Sequence, residues 1–179
     1  MKNRKASENR HFSLIAIADK NWAIGRGGHQ LVSISQDRAM FREATMGRIV
    51  VMGRRTWDSL DIRPLESRFN VVLSRDPEFT AKGGFTARSV DEALAESDRL
   101  LGENRLEDTD VIVIGGGASY REFLPYCAQA LITAVDYAYD ADTDMPDLDA
   151  LGWKMTSESD EQTAFDLIYH YRLYERPED

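Results

Sequence analysis

The sequence has one cysteine, three histidines and five prolines in 179 residues. It contains no repeat and no low-complexity tract. A single cysteine, Cys127, excludes an internal disulfide and fits a reducing cytoplasm. His11, His29 and His170 are scattered along the chain, so they form no metal motif and offer Cys127 no obvious partner. Cys127, inside "FLPYCAQALITAV", therefore reads as a small buried thiol rather than a nucleophile. No apolar run approaches the ~18 residues that cross a bilayer. The first ten residues, "MKNRKASENR", are basic and polar, with only the short "FSLIAIA" behind them. That pattern lacks the apolar stretch of a signal peptide. It predicts a disordered extension over residues 1–10 and a folded domain over 11–179. Positive charge is also scarce: 22 basic residues face 31 acidic ones, for a net charge of -9. With no basic stripe, this argues against nucleic-acid binding, but it leaves room for a local arginine cluster around an anionic ligand.

What is present is an ordinary globular balance, 42% hydrophobic and 30% charged, at a length suited to one sizeable core. "FSLIAIA" (Phe12–Ala18), "RIVVM", "FNVVLS" and "DVIVIGG" are continuous apolar runs and read as buried strands. Between them, the spacing predicts a helix over about Gln36–Met46, with Ser35 as N-cap and Gly47 past its end. "GRRTWDSL", "SVDEALAESDRLL" and "ASYREFL" read as further helices, the second opened by a capping box from Ser89 to Glu92. Asp19–Ile34 reads as a long loop with three glycines, and "DADTDMPDLDALGW" as an acidic loop. "ALITAVDYAY" and the alternating "FDLIYHYRLYER" are strands with no helix between them, which predicts an antiparallel hairpin. Strands alternating with helices imply a mostly parallel α/β sheet.

Three strand ends carry the residues of a polyanion site. "VIVIGGGASY" places Gly115–Gly117 between a strand and a helix, "VMGRRTWDS" places Arg54, Arg55 and Thr56, and "VVLSRD" places Ser74 and Arg75. In α/β sheets, ligands bind beyond the carboxyl ends of the strands, where glycines let backbone approach them. Taken singly, the glycines also read as a tight turn and each arginine as a solvated surface residue. Asp37 heads an apolar helical stripe of Met40, Phe41 and Ala44. Spacing leaves it either a surface acid facing the helix dipole or a buried acid that holds a ligand.

"SLIAIA", "AIG", "DRAMFREAT", "VVMGRRTWDSL", "RPLESRFNVVLSR", "VIVIGGGASYREFLP" and "DADTDMPD" together resemble the dihydrofolate reductase family, in order and spacing, over about Phe12 to Arg176. The resemblance implies a single α/β domain with a mostly parallel eight-stranded sheet, four helices and a C-terminal antiparallel hairpin. It implies reduction of 7,8-dihydrofolate to tetrahydrofolate by NADPH, in support of one-carbon metabolism, by a cytoplasmic monomer that antifolates inhibit. Asp37 would be the essential acid that grips the pterin, oriented by Thr133, with Tyr120 near the nicotinamide. Ile15, Ile17, Leu60, Leu65 and Ile114 would wall the substrate pocket, Phe41 would stack on the substrate, and Arg38 would sit at the edge. Arg68 would clamp the glutamate carboxylate, a bidentate task suited to guanidinium. Gly53, Arg54, Arg55, Thr56, Leu73, Ser74, Arg75 and Arg88 fall at cofactor positions, as do Gly115, Gly116, Gly117, Ala118 and Ser119. A cis peptide is implied at Gly115–Gly116, and Ile17 and Ile24 would close against the cofactor.

The chain departs from the family pattern at Leu31 and Val32, where Pro-Trp is usual, and at Arg38, where the residue is usually apolar. "DADTD" starts like a calcium loop but lacks the glycine and glutamate that such a loop needs, so no metal site is expected. Two other functions would suit a protein of this fold. A riboflavin-pathway reductase would lack the helix acid and the tail-clamping arginine, so Asp37 and Arg68 count against it. A non-catalytic NADPH-binding module has only Val32 and Arg38 in its favour.

Overall fold

The computed structural model describes residues 10–178. Residues 1–9 of the expected extension lie outside the described residues. Arg10, the last residue of that extension, is buried, and its guanidinium donates to Asp98 at 2.8 Å. The chain then runs β1 (Phe12–Ala18), β2 (Ala23–Arg26), β3 (His29–Gln30), α1 (Ser35–Thr45), β4 (Ile49–Gly53), α2 (Arg54–Ser59), β5 (Phe69–Leu73), β6 (Phe85–Ala87) and α3 (Val90–Asn104). It continues β7 (Val111–Gly115), α4 (Gly117–Phe123), β8 (Cys127–Val135), β9 (Thr143–Asp144), β10 (Lys154–Glu158), β11 (Gln162–Ala164) and β12 (Leu167–Glu175).

Eight strands form the main sheet in the order β10-β12-β8-β1-β7-β4-β5-β6, and short β11 pairs with β12 outside that path. From β8 to β6 every neighbour is parallel. β12 runs antiparallel to both β8 and β10, so it lies one strand inside the edge. The central strands are apolar throughout because both faces are covered. Leu14, Val51, Val71 and Val113 pack with Leu94, Leu100 and Phe123 of α3 and α4. The alternate residues Val50, Met52 and Val72 pack with Trp57 of α2 on the other face. Burying each such large side chain is worth about 1.5–3 kcal/mol.

α1 begins at Ser35 with Ile34 at the cap position and no side-chain cap. Ile34 is buried against Val135 and Tyr169, so apolar anchoring fixes the helix start, while the Ser35 hydroxyl accepts from Arg38. Ser89 caps α3 as expected, but the Glu92 carboxylate reaches back to the Arg88 amide, one residue beyond the box. The expected loop over Asp19–Ile34 contains β2 and β3, which join β9 in a small second sheet. Gly27 and Gly28, at φ 58 and 81, make the two-residue turn between Arg26 and His29. β6, β10 and β11 were not expected. β10 is exposed along its whole length and so has no apolar period to read.

Buried Asn70 holds the segment that leads to Arg68. Its side-chain oxygen accepts from the Leu65 amide at 2.9 Å, and its amide donates to the carbonyls of Leu65 and Arg68 at 3.0 and 3.1 Å. Asn70→Ala strands these groups, at about 1–3 kcal/mol for each one left buried and unsatisfied. Thermal unfolding should therefore fall by several degrees, at roughly 2–4 °C per kcal/mol for a chain of this size. A melting temperature within 1 °C of wild type, on the order of measurement error, would show that the hub is dispensable.

Candidate functional site

The carboxyl ends of β1, β4, β5, β7 and β8 share one rim because these strands are parallel. On the face that carries α1 and α2, Ile17 of β1 lies opposite Thr133 of β8, and Thr133 lies opposite Tyr171 of β12. α1 brings Asp37 to this row. The Thr133 hydroxyl donates to the Asp37 carboxylate at 2.5 Å across 96 positions of sequence. Burial pushes the Asp37 carboxyl above its ordinary range, and the Thr133 bond offsets part of that rise. Burial, Tyr169 and the negative charge of Asp37 together push the Tyr171 phenol up to about 12. Tyr171 therefore stands within electrostatic reach of Asp37. The sequence reading missed it, although the alternation of the last strand puts it on that face.

Tyr120 lies under this row. Its hydroxyl lies 2.8 Å from the Ile15 carbonyl and 2.9 Å from the Ile114 carbonyl, so its single proton is shared between neighbouring β1 and β7. Complete burial and the charge of Asp37 hold its phenol far above the usual range, so it stays a donor. Ile114, Leu60 and Leu65 are the half-buried fringe of the cluster under α2, and Ile17 is part of the fringe of the cluster under Ile34. Phe41 is half-buried one turn beyond Asp37. Arg68 donates to the Glu66 carbonyl at 2.9 Å and to the Thr45 hydroxyl at 3.1 Å. Burial, then Arg42, lower its pKa from the ordinary value, against a smaller rise from Glu66. Arg38 is exposed, and its guanidinium donates to the hydroxyls of Ser33 and Ser35.

The second group gathers at the ends of β4, β5 and β7. The Gly115–Gly116 peptide is cis, and Gly115 has φ 133. A side chain at Gly115 would meet the Thr56 hydroxyl at 3.2 Å, and one at Gly53 would meet the Ser119 hydroxyl at 2.9 Å. The starts of α2 and α4 are thus in contact, with bare backbone and two hydroxyls between them. Ala118 is exposed at the start of α4, and Leu73 is buried at the end of β5. Ser74 is buried, and its amide donates to the Ala87 carbonyl. Arg54 bonds Asp58 and Asp76 and lies 4.1 Å above the Phe79 ring. Arg88 donates to the carbonyls of Ser74, Asp76 and Phe79, so its guanidinium braces the turn after β5. Arg75 is exposed with one contact, to Glu122 at 3.4 Å, and Arg55 is exposed.

The loop over Asp19–Ile34 lies down on β1. Ile24, Val32 and Tyr139 line a narrow gap of about 10 Å³ above Ile17. The acidic loop grips it from outside. The Asp142 amide donates to the Gly25 carbonyl at 3.1 Å, and the Gly27 amide donates to the Asp142 carboxylate at 2.9 Å. Gly27 and Thr143 hold that carboxyl below its usual range. A larger cavity of about 320 Å³, lined by Trp22, Ile132, Arg172 and Tyr174, holds none of the predicted site residues. Cys127 is fully buried, with its thiol pushed up to about 12, and takes no part.

A family model described as dihydrofolate reductase matches residues 11–176. The dihydrofolate reductase of Neisseria meningitidis serogroup A is 32% identical over 166 residues, spanning 90% of this chain and 98% of that one. That of Mycobacterium tuberculosis is 45% identical over 115 residues, spanning 63% of this chain and 64% of that one. Among solved structures, dihydrofolate reductase from Enterococcus faecalis complexed with NADP(H) and RAB-propyl matches with a TM-score of 0.78 at 26% identity. That match covers 94% of this chain and 97% of the other.

The raised pKa of Asp37 makes stability depend on pH. A carboxyl that binds its proton more tightly in the folded chain than in the unfolded one favours folding most when protonated. Its contribution is lost as pH rises from the ordinary carboxyl value of 3.8 through the higher folded pKa. Asp37→Asn keeps an acceptor for Thr133 and removes the charge. The melting temperature of the variant relative to wild type should be near zero in acid and turn positive toward neutral pH, by roughly 2–4 °C for each kcal/mol relieved. A difference independent of pH would show that burial does not penalise the Asp37 charge.

Proposed function

The chain belongs to the dihydrofolate reductase family, and from that premise we propose how its cleft reduces 7,8-dihydrofolate to 5,6,7,8-tetrahydrofolate with NADPH. The observation that carries the reading is the half-buried carboxylate at the head of α1, oriented by a threonine on the sheet beside an apolar wall. Thr133 engages one oxygen of Asp37, which leaves the other to accept N–H groups of a pterin. A carboxylate fixed in partly apolar surroundings stabilises a protonated, cation-like ring without reorganising. Phe41, Ile17, Leu60, Leu65 and Ile114 take the rings and the aminobenzoyl part. Arg68, anchored on Glu66 and Thr45, has donors left for the tail carboxylate.

The bare backbone of Gly53 and Gly115–Gly117, with the hydroxyls of Thr56 and Ser119, suits a phosphate-bearing cofactor, because side chains there would fill the cradle. Arg55 and Arg75, the more exposed of the cofactor-side arginines, are placed to favour the extra phosphate of NADPH. When bound, NADPH supplies the hydride that goes to C6 of the pterin, whose N5 takes a proton. The chain's own work is to hold Asp37 charged at the ring, keep the Tyr120 phenol protonated under the floor, and exclude water with the loop above Ile17. No helix of the described residues is long and apolar enough to cross a membrane. The single inert thiol suits a cytoplasmic setting, and the complete site within one chain suits a monomer that antifolates inhibit.

Two measurements test the reading. NADPH oxidation followed by absorbance should require dihydrofolate, and Asp37→Asn should lower turnover at neutral pH by about 10²-fold, the scale of one lost electrostatic contact. Turnover of the variant within about threefold of wild type would remove Asp37 from the mechanism. Replacing both Arg55 and Arg75 by alanine should raise KM for NADPH far more than for NADH. Equal effects on the two cofactors would show that these arginines do not read the additional phosphate.

A further inference from the structure

Asp19 has no part in the roles above, yet its carboxylate is the most connected at the base of the loop. It follows β1 directly and is 7% exposed. Its Oδ1 accepts from the Asn21 amide at 2.8 Å and the Ala23 amide at 2.9 Å. Its Oδ2 accepts from the Tyr139 amide at 2.8 Å, 120 positions away. One oxygen therefore shapes the first turn of the loop, and the other ties that turn to the segment leading into the acidic loop. The Lys20 amide donates to the Tyr137 carbonyl at 3.1 Å, so side chain and backbone make the same crossing.

The turn so held is an unusual one. Trp22 has φ 60, a left-handed conformation rare for a bulky residue. Its amide donates to the Asp19 carbonyl at 3.1 Å, and its own carbonyl accepts from Met145 at 2.9 Å. Ile24 comes two residues later, above Ile17 and facing Tyr139. The position of Ile24 therefore depends on a turn that Asp19 fastens at one end and on a loop that Asp19 fastens at the other. Three N–H donors meet this side chain, and an ionised carboxylate is acceptor-only at both oxygens. No neutral side chain of the same shape offers that.

We propose that Asp19 is a positioning residue for hydride transfer, a two-sided latch whose Oδ2–Tyr139 bond sets the loop and Ile24 over the reacting rings. This rests on the reading of function given above. Asp19→Asn separates the two halves of the latch. Its carbonyl oxygen can still serve Asn21 and Ala23, while its amide then meets the Tyr139 amide donor to donor.

The experiment pairs a substrate-free readout with a catalytic one. In Asp19→Asn, hydrogen exchange of the amides in β2 and β9 should quicken about tenfold, the factor one charge-assisted hydrogen bond is worth. The single-turnover rate of hydride transfer should fall by about the same factor, with dihydrofolate affinity held within about twofold, because Asp37 and Arg68 are untouched. Asp19→Ala should slow transfer further and also lower the melting temperature, since the inner turn is lost too. Unchanged exchange in Asp19→Asn overturns the latch. A lowered melting temperature with an unchanged single-turnover rate reduces Asp19 to a structural role and overturns its part in positioning. Wild-type protein that oxidises no NADPH with dihydrofolate would instead defeat the functional reading, and exchange alone would then decide whether Asp19 is a latch.

Discussion

A charge set beside an apolar wall needs a donor, and here Thr133 provides one to Asp37 at 2.5 Å. Much of the architecture serves to bring those two residues together. Thr133 faces the cleft only while β8 keeps its register on β1, with Ile17 opposite it. A slip of one residue would turn the hydroxyl to the other face and put Ile132 in its place. On the helix side, Asp37 reaches the sheet because Ile34 pins the start of α1 against Val135 and Tyr169. The same apolar contact therefore decides where the helix begins and where its acid points.

The floor and the lid of the cleft are held by different means. Beneath it, the Tyr120 phenol clasps two neighbouring strands through their carbonyls in a fully buried place. Above it, the loop is held by hydrogen bonds and strand pairing from the acidic loop, much of it exposed: Asp142 to Gly25 and Gly27, Arg26 to Asp140, and β2 to β9. Exposed charge pairs are individually weak. Asp19 differs from these outer contacts in being buried, at the base of the loop rather than at its rim.

Arginines that look alike in sequence divide by burial and company. Arg88 spends its donors on three carbonyls and braces the turn after β5. Arg54 is drawn to two aspartates and a ring face. Arg55 and Arg75 stay exposed beside the glycine cradle. A count of positive residues at strand ends could not have made that division, because it depends on which carbonyls and carboxylates the fold brings near.

By itself the sequence determined the central strands, the helices after them and the glycine-rich strand ends. These are local matters: continuous apolar runs are buried on both faces of a parallel sheet, and glycine is needed where Gly115 takes φ 133. It supplied the candidates too: Asp37 from its place at the head of an apolar helical stripe, and Thr133, Tyr120 and Arg68 through the resemblance to the dihydrofolate reductase family. Only the tertiary structure decided what they touch. Asp37 had two open readings, surface acid or buried acid, because its partner lies 96 positions away and no local pattern encodes that distance. Asp19 was missed for the same reason, since it is tied to an amide 120 positions on, while strand alternation carries the face of Tyr171 but not its neighbour Thr133, which register decides. Exposed β10 was missed because a strand with no buried face carries no hydrophobic period, and its pairing with β12 is made by backbone groups that every residue shares.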